Sequence, residues 1–207
     1  VLRYRAKESQ FYEFADDVLP RWITSACVLD YDTVIGADKF ENIFACRLPQ
    51  NVDEDIEEDP LTYKFKWETG YLNGAAFKME QLCNYFYGEL ITTLVKTSLA
   101  STSNEVLLFA TSMGSIGALY PFETKEDIEF FVHLEMYLRI ESLPLCGRDH
   151  QMYRSFFGPV KNVIDGDLCE QYTRMEYAKQ KVLSEELDRT PAEVLKKLED
   201  IRNKILQ

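Results

Sequence analysis

Phe122-Glu123-Thr124-Lys125-Glu126-Asp127-Ile128 is the stretch across which the hydrophobic period of this chain changes. Thr124-Lys125-Glu126-Asp127 has the layout of a capping box, with Thr124 at the N-cap and an acid three residues on. Beyond it, Ile128, Phe131, Leu134 and Leu138 recur at helical spacing and predict a helix to about Glu141. Phe130, Val132, Met136 and Ile140 make that helix apolar almost all round, so it is expected to be buried from several sides. Leu143-Pro144 ends it.

Upstream, residues 1–122 read as short strands at close spacing. Val1–Ala6 and Phe11–Ala15 flank the polar turn Lys7-Glu8-Ser9-Gln10 and suggest a hairpin. Trp22–Leu29, Thr33–Ala37 and Asn42–Leu48 are strand-like runs separated by Asp30-Tyr31-Asp32 and by Asp38-Lys39-Phe40-Glu41. A second set follows at Gln81–Tyr87, Leu90–Leu99, Glu105–Thr111 and Ser115–Phe122, with Ser101-Thr102-Ser103-Asn104 and Met113-Gly114 as breakers. Frequent turns with no long helix between them predict an antiparallel all-β meander. Between the sets lies Asn51–Pro60, with six acids among Asp53–Asp59. Like charges at that density cannot be buried. The segment is expected outside any core, as a solvated loop or as a lure for a basic partner.

Downstream, Thr190-Pro191-Ala192-Glu193 is the best cap in the chain, with Pro at N1 and Glu at N3. Its helix carries Val194, Leu198, Ile201 and Ile205 as one stripe. Lys196, Lys197, Arg202 and Lys204 favour its C-terminal half, where the helix dipole welcomes positive charge.

Composition narrows the class. With 207 residues, 46% of them hydrophobic, the chain has ample material for a core. No apolar run approaches the roughly 18 residues that span a bilayer. Val1-Leu2-Arg3-Tyr4-Arg5 has no signal layout and is read as the edge of a longer polypeptide. The five cysteines (Cys27, Cys46, Cys83, Cys146, Cys169) are scattered without zinc spacing, which predicts reduced thiols in a cytosolic or nuclear protein. The formal charge is −12; residues 1–123 hold 19 acids and 10 bases, residues 124–207 hold 16 and 13. Such a surface repels phosphate backbones, so protein partners are expected and little or no nucleic-acid contact.

Catalytic patterns fail on inspection. Ser112-Met113-Gly114-Ser115-Ile116-Gly117 lacks the glycine two residues before Ser115 that a nucleophile elbow needs, and no Gly-Lys-Ser/Thr follows. A turn between strands accounts for its glycines. His133 reads as a satisfied core residue. Asp149-His150 has the composition of half a triad but no nucleophile motif to pair with. Asp165-Gly166-Asp167 lacks the further acids of a calcium loop and reads as a helix N-cap at Asp165 or Asp167. Arg148 and Arg154 are either surface ligands or ties to carboxylates such as Asp165 and Asp167, with the tie favoured. No enzyme, metal site or cofactor is expected.

Cys146-Gly147-Arg148-Asp149-His150, Pro159–Gln171 and Ser184–Pro191 form a run that resembles the family of the third subunit of splicing factor 3b. That family belongs to a wider one shared with the large subunits of the damaged-DNA-binding and the cleavage and polyadenylation specificity complexes. Phe14-Ala15-Asp16-Asp17, Pro20-Arg21-Trp22, Leu29–Val34, Gly36–Phe40, Leu72-Asn73-Gly74-Ala75 and Leu187–Arg202 extend the resemblance along the chain. Val160–Gln171 and Ser184–Arg202 point to the splicing member. One departure stands out: the family has Lys-Phe-Gly-Asn where this chain has Lys39-Phe40-Glu41-Asn42. Glycine there suits a turn with positive φ.

The resemblance implies a β plus α fold. Residues 1–123 would be the last blades of a WD-like β-propeller, an incomplete ring, and residues 124–207 a helical C-terminal domain. A blade takes about 40–45 residues, so residues 1–123 cannot close a ring, and further chain must complete the open edges. The implied function is a non-enzymatic scaffold of the nuclear splicing factor 3b complex, supporting branch-site recognition in pre-mRNA splicing. The implied partners are the HEAT-repeat subunit 1, the small subunit 5 and the PHD-finger-like subunit, with no membrane. The wider family leaves an alternative, a propeller adaptor of a ubiquitin ligase or a damaged-DNA-binding complex. Partner contacts are implied in the third propeller and near the domain that follows it. Loops there make Arg21, Trp22, Tyr31, Asp32, Asp38, Lys39, Thr92, Lys96, Ser101, Asn104 and Lys161 the candidate contact residues. Trp22 and Tyr31 could equally be core.

Overall fold

The computed structural model describes residues 1–49, 74–75, 77–99, 105–141 and 147–206. Asn51–Pro60, Ser101–Asn104 and Leu143-Pro144 lie outside the described residues. β1 (Leu2–Arg5) and β2 (Gln10–Glu13) form the expected hairpin. β3 (Ala15–Asp16) then pairs in parallel with β7 (Phe77–Lys78), a departure from the all-antiparallel expectation. Two residues show no alternation for a sequence reading to detect. Asp16 holds the pair instead: its carboxylate takes Lys78 Nζ and the Ala75 amide, and its carbonyl accepts from the Met79 amide at 2.8 Å.

β4 (Ile23–Val28), β5 (Thr33–Asp38), β6 (Asn42–Arg47) and β8 (Glu80–Phe86) form a four-stranded antiparallel sheet in that order. β9 (Ile91–Thr97), β10 (Val106–Thr111) and β11 (Ile116–Leu119) form a three-stranded one. Alternation along the strands separates two cores. Ile35, Ala37, Ile43 and Ala45 pack against Ile91, Leu94, Leu107 and Phe109 of the second sheet. Phe44 and Cys46, on the opposite face of β6, join Phe14, Ala15, Phe77 and Met79. The sheets are also tied edge to edge: Thr24 Oγ1 donates to the Ile91 carbonyl at 2.7 Å, and the Leu94 amide to Ser25 Oγ at 3.0 Å. No closed barrel is present among the described residues.

One device recurs in both sheets. Gly36 stands opposite Phe44, and Gly117 opposite Phe109. A Cβ on Gly36 would lie 2.6 Å from the Phe44 ring, and one on Gly117 2.2 Å from the Phe109 ring. Each phenylalanine lies across the bare backbone of its partner.

The β5–β6 turn resolves the substitution at Glu41. Its φ is +68°, the left-handed region that glycine enters without strain. Glu41→Gly should therefore raise stability by about 1 kcal/mol in a denaturant melt; a lowered midpoint would refute that.

The helices are α1 (Lys125–Glu141), α2 (His150–Arg154), α3 (Gly166–Glu170), α4 (Tyr177–Glu186) and α5 (Pro191–Leu206). Thr124 Oγ1 accepts from the Asp127 amide at 3.2 Å, as the capping box requires. At α5 the box is reciprocal: the Glu193 amide donates to Thr190 Oγ1 at 3.4 Å, and the Thr190 amide to Glu193 Oε2 at 2.7 Å. Thr190→Ala should cost about 1 kcal/mol by urea melt; an unchanged midpoint would mean that packing alone holds α5. Phe131, Leu134, Leu138, Leu168, Tyr172, Leu183, Val194 and Leu198 make a separate helical core.

Two expectations for α1 need correction. Ile128, Val132, Met136 and Ile140 are 41%, 45%, 41% and 76% exposed, so the helix is buried on one side only. His133 is exposed, not core, with Nδ1 2.7 Å from the Glu129 carbonyl. The helical core fills one stripe of α1, and no other described element covers the far side.

Candidate interaction surface

The loops between strands are shaped by carboxylates that leave large side chains outside. In the β4–β5 loop the Asp32 amide donates to Asp30 Oδ1 at 3.2 Å, and the Leu29 amide to the Thr33 carbonyl at 3.0 Å. Hydrogen bonds from Thr33 and Asp32 hold the Asp30 carboxyl below its ordinary range. Arg47 closes the loop, with Nε 3.5 Å from Asp32 Oδ1 and 2.9 Å from Thr33 Oγ1. Tyr31, at the tip, is fully exposed.

At the other end of β5, Asp38 is buried and gathers the β5–β6 turn: its Oδ1 accepts from the Phe40 amide at 2.9 Å and the Asn42 amide at 3.1 Å. Lys39 is thereby left at the surface, its Nζ 3.7 Å from the Trp22 ring, and Trp22 is 65% exposed. The alternative that Trp22 and Tyr31 are core therefore fails. Arg21 is different. Its side chain is buried between Asp17, at 2.5 Å, and the Phe44 ring, at 3.7 Å, with Asp38 at 3.9 Å. Arg21 and Asp38 support the surface from beneath and do not form it.

The remaining candidates divide. Thr92 is exposed, with Oγ1 donating to the Ala110 carbonyl at 3.2 Å. Lys96 is occupied by the Leu29 carbonyl at 2.5 Å and Glu105 at 2.7 Å. Ser101 and Asn104 lie outside the described residues. Lys161 exchanges backbone hydrogen bonds with Asn84 on β8, at 3.1 and 2.9 Å, and its Nζ donates to the Gln81 carbonyl at 2.5 Å. Asn162 Nδ2 adds a bond to the Leu82 carbonyl at 2.9 Å.

Helices and sheet are joined by a buried ionic knot. Arg154 Nε lies 2.8 Å from Asp165 Oδ2, and His150 Nε2 lies 2.7 Å from the same oxygen. Arg154 Nη1 also donates to the Phe86 and Tyr87 carbonyls, at 3.3 and 2.7 Å. Asp165 caps α3 through the Leu168 amide at 3.2 Å, as the cap reading expected. Burial alone would push the Asp165 carboxyl up; His150 and the Arg154 charge outweigh it and hold the carboxyl well below its ordinary range. Burial pushes the Tyr85 hydroxyl up, with the Asp165 charge adding to it. The Asp149-His150 pair is thus spent on structure: Asp149 Oδ2 caps α2, and His150 faces Asp165. Burial likewise pushes the Cys46 thiol up to about 12. Among the described residues no group of three His, Cys, Asp or Glu side chains could hold a metal ion. No helix there is long and apolar enough to cross a membrane.

The sequence that builds this surface follows a known family pattern: the model of the CPSF A subunit region matches residues 1–174. The chain belongs to the CPSF A subunit family. Within it, the chain is similar to a probable splicing factor 3B subunit 3 of Dictyostelium discoideum, 55% identical over 205 residues, which are 99% of this chain and 16% of that protein. It is 56% identical to splicing factor 3B subunit 3 of Danio rerio over 203 residues, 98% of this chain and 17% of that one. A more distant family member, the pre-mRNA-splicing factor RSE1 of Mycosarcoma maydis, is 45% identical over 199 residues, 96% of this chain and 16% of that one. The chain spans about a sixth of the length of these curated relatives.

Sequence reasoning missed one feature of this surface. Phe40, Phe156 and Phe157 come together beside Lys39 and Arg148. The adjacent pair Phe156-Phe157 in a segment with no strand or helix pattern was the available signal.

Proposed function

We propose that this chain is part of a non-enzymatic scaffold of the splicing factor 3b complex, acting in the nucleus to support branch-site recognition in pre-mRNA splicing. The observation that carries the reading is identity of 51–56% over nearly the whole chain to relatives named splicing factor 3B subunit 3. Asp30, Asp38, Asp149 and Asp165 engaged in turns, caps and ion pairs, with His150 facing Asp165, support a scaffold over a catalyst. The two meanders, packed through Ile35, Ile43, Leu94 and Phe109, support neighbouring blades of a WD-like propeller. Residues 1–123 are then the blades and residues 124–207 the helical domain. Among the described residues β11 closes a sheet one strand shorter than its neighbour, so its edge is where further chain would complete a blade.

The partners in this reading are the HEAT-repeat subunit 1, the small subunit 5 and the PHD-finger-like subunit. Trp22 and Lys39 mark one end of the β4–β5 pair and Tyr31 and Asp32 the other; with Thr92, Lys96 and Lys161 they make up the contact residues of this reading. Exposed aromatics on a rigid sheet are the residues from which hot spots are made. The test is affinity purification of the full-length protein carrying Trp22→Ala, Tyr31→Ala and Lys39→Glu together, with partners identified by mass spectrometry. Recovery of the HEAT-repeat subunit should fall while circular dichroism stays unchanged. Undiminished recovery would overturn the surface, and a cullin in place of splicing subunits would favour the ubiquitin-ligase adaptor.

A further inference from the structure

Phe40, at the tip of the β5–β6 turn, has its ring centroid 5.1 Å from that of Phe157, which lies 5.1 Å from Phe156. The three rings are 41%, 54% and 54% exposed. Their floor is Phe86 of β8, a buried residue whose ring lies 5.3 Å from Phe156 and 6.0 Å from Phe157. The cluster therefore joins the sheet to the segment after α2 and is fixed from below. Each end carries a cation on a ring: Lys39 Nζ is 5.4 Å from the Phe40 centroid, and the Arg148 guanidinium carbon 5.7 Å from that of Phe156.

Neither cation has a carboxylate partner among the described residues. That is unexpected in a chain whose acids outnumber its bases 35 to 23. Lys96, Arg139, Lys197 and Arg202 each hold a carboxylate. Single exposed apolar side chains are ordinary, but a joined aromatic cluster bounded by cations that hold no carboxylate among the described residues has the character of a binding surface with a charge preference.

We infer that the Phe40–Phe157–Phe156 cluster, flanked by Lys39 and Arg148, docks an acidic segment of a partner protein that presents an aromatic or leucine side chain to the rings. The rings give the apolar contact, and the two cations select carboxylates on either side of it. Single-stranded nucleic acid also stacks on aromatic rings, yet it needs a row of bases to track its phosphates. Two cations on a chain of charge −12 do not supply one. The inference rests on the scaffold reading only in taking a protein as the occupant, and it shares only Lys39 with the contact residues of that reading.

The test uses the full-length protein and fluorescence anisotropy of a labelled peptide, Glu-Asp-Glu-Trp-Leu-Asp-Glu-Asp. Two control probes are the same peptide with every acid replaced by its amide, and an oligouridylate of equal length. The acidic peptide should bind, weaken as salt is raised, and lose about tenfold or more in affinity with Arg148→Glu or Phe157→Ser. Arg148 is exposed and among the described residues touches only a ring, so Arg148→Glu should leave the melting temperature unchanged and keep the test valid if Phe157→Ser unfolds. No binding of the acidic peptide, equal binding of the amide peptide, tighter binding of the oligouridylate, or affinity unchanged in Arg148→Glu would each overturn the inference. Recovery of splicing subunits is scored separately. Peptide binding without those subunits sinks the scaffold reading and leaves the patch; the subunits without peptide binding do the reverse.

Discussion

Arg154→Met should lower the stability of the protein by about 3–5 kcal/mol, read as a drop in the urea midpoint. The side chain is 9% exposed and Asp165 beside it 2%, so its loss strands a carboxylate away from water. The Phe86 and Tyr87 carbonyls lose their donor as well. Methionine keeps much of the volume, which separates the electrostatic loss from a cavity. The pH dependence gives a second reading. Asp165 has a folded value below its unfolded one, so its contribution is complete above about pH 4 and fades as the pH falls toward the folded value. The gap between wild type and Arg154→Met should therefore narrow on acidification below about pH 4. A gap independent of pH would show that Arg154 acts by packing alone.

Phe109→Ala should cost about 3–5 kcal/mol, because the ring fills the space between the sheets and also covers Gly117. Gly117→Ala alone should cost about 1–3 kcal/mol, since the new Cβ would meet a buried ring. Combined, the two should not add. With the ring gone, the Cβ occupies vacated space, and Gly117→Ala should become neutral or stabilising in the Phe109→Ala background. A double-mutant cycle by denaturant melt measures this. Simple additivity would mean that the ring swings clear of the glycine at no cost.

Legibility in the sequence followed the range of the interactions. The Thr124 and Thr190 boxes, the strand runs around Ile35, Ala45 and Leu94, and the turn at Glu41 depend on residues within a few positions, and their signals were readable. The β3–β7 pair was not, because Asp16 and Lys78 are 62 residues apart and each strand is too short to alternate. Arg21 looked like a loop residue and proved buried, because its pocket is made by Phe44 and Asp38 from two other positions in the sheet. The apolar circumference of α1 was read correctly as composition and wrongly as burial. What lies against a helix is a tertiary fact. Of the surface, the punctuating loops were visible; the Phe40–Phe157 contact joins segments with no local sign of each other.

The pairing of Lys161 with Asn84 has a consequence in time. β8 is the last strand of its sheet, and an unpaired edge accepts any extended chain that reaches it. Lys161 lies 80 residues beyond Gln81, whose carbonyl its side chain takes. At about 5–20 residues per second of synthesis, that edge stays bare on the ribosome for roughly 4–16 seconds. The sheet is complete long before its cover exists. Termination just short of Pro159 would release a polypeptide with every described strand of that sheet in place and the Gln81–Asn84 stretch of the β8 edge left uncovered. Such a product should self-associate in proportion to its concentration, and the damage would come from the segment left unmade.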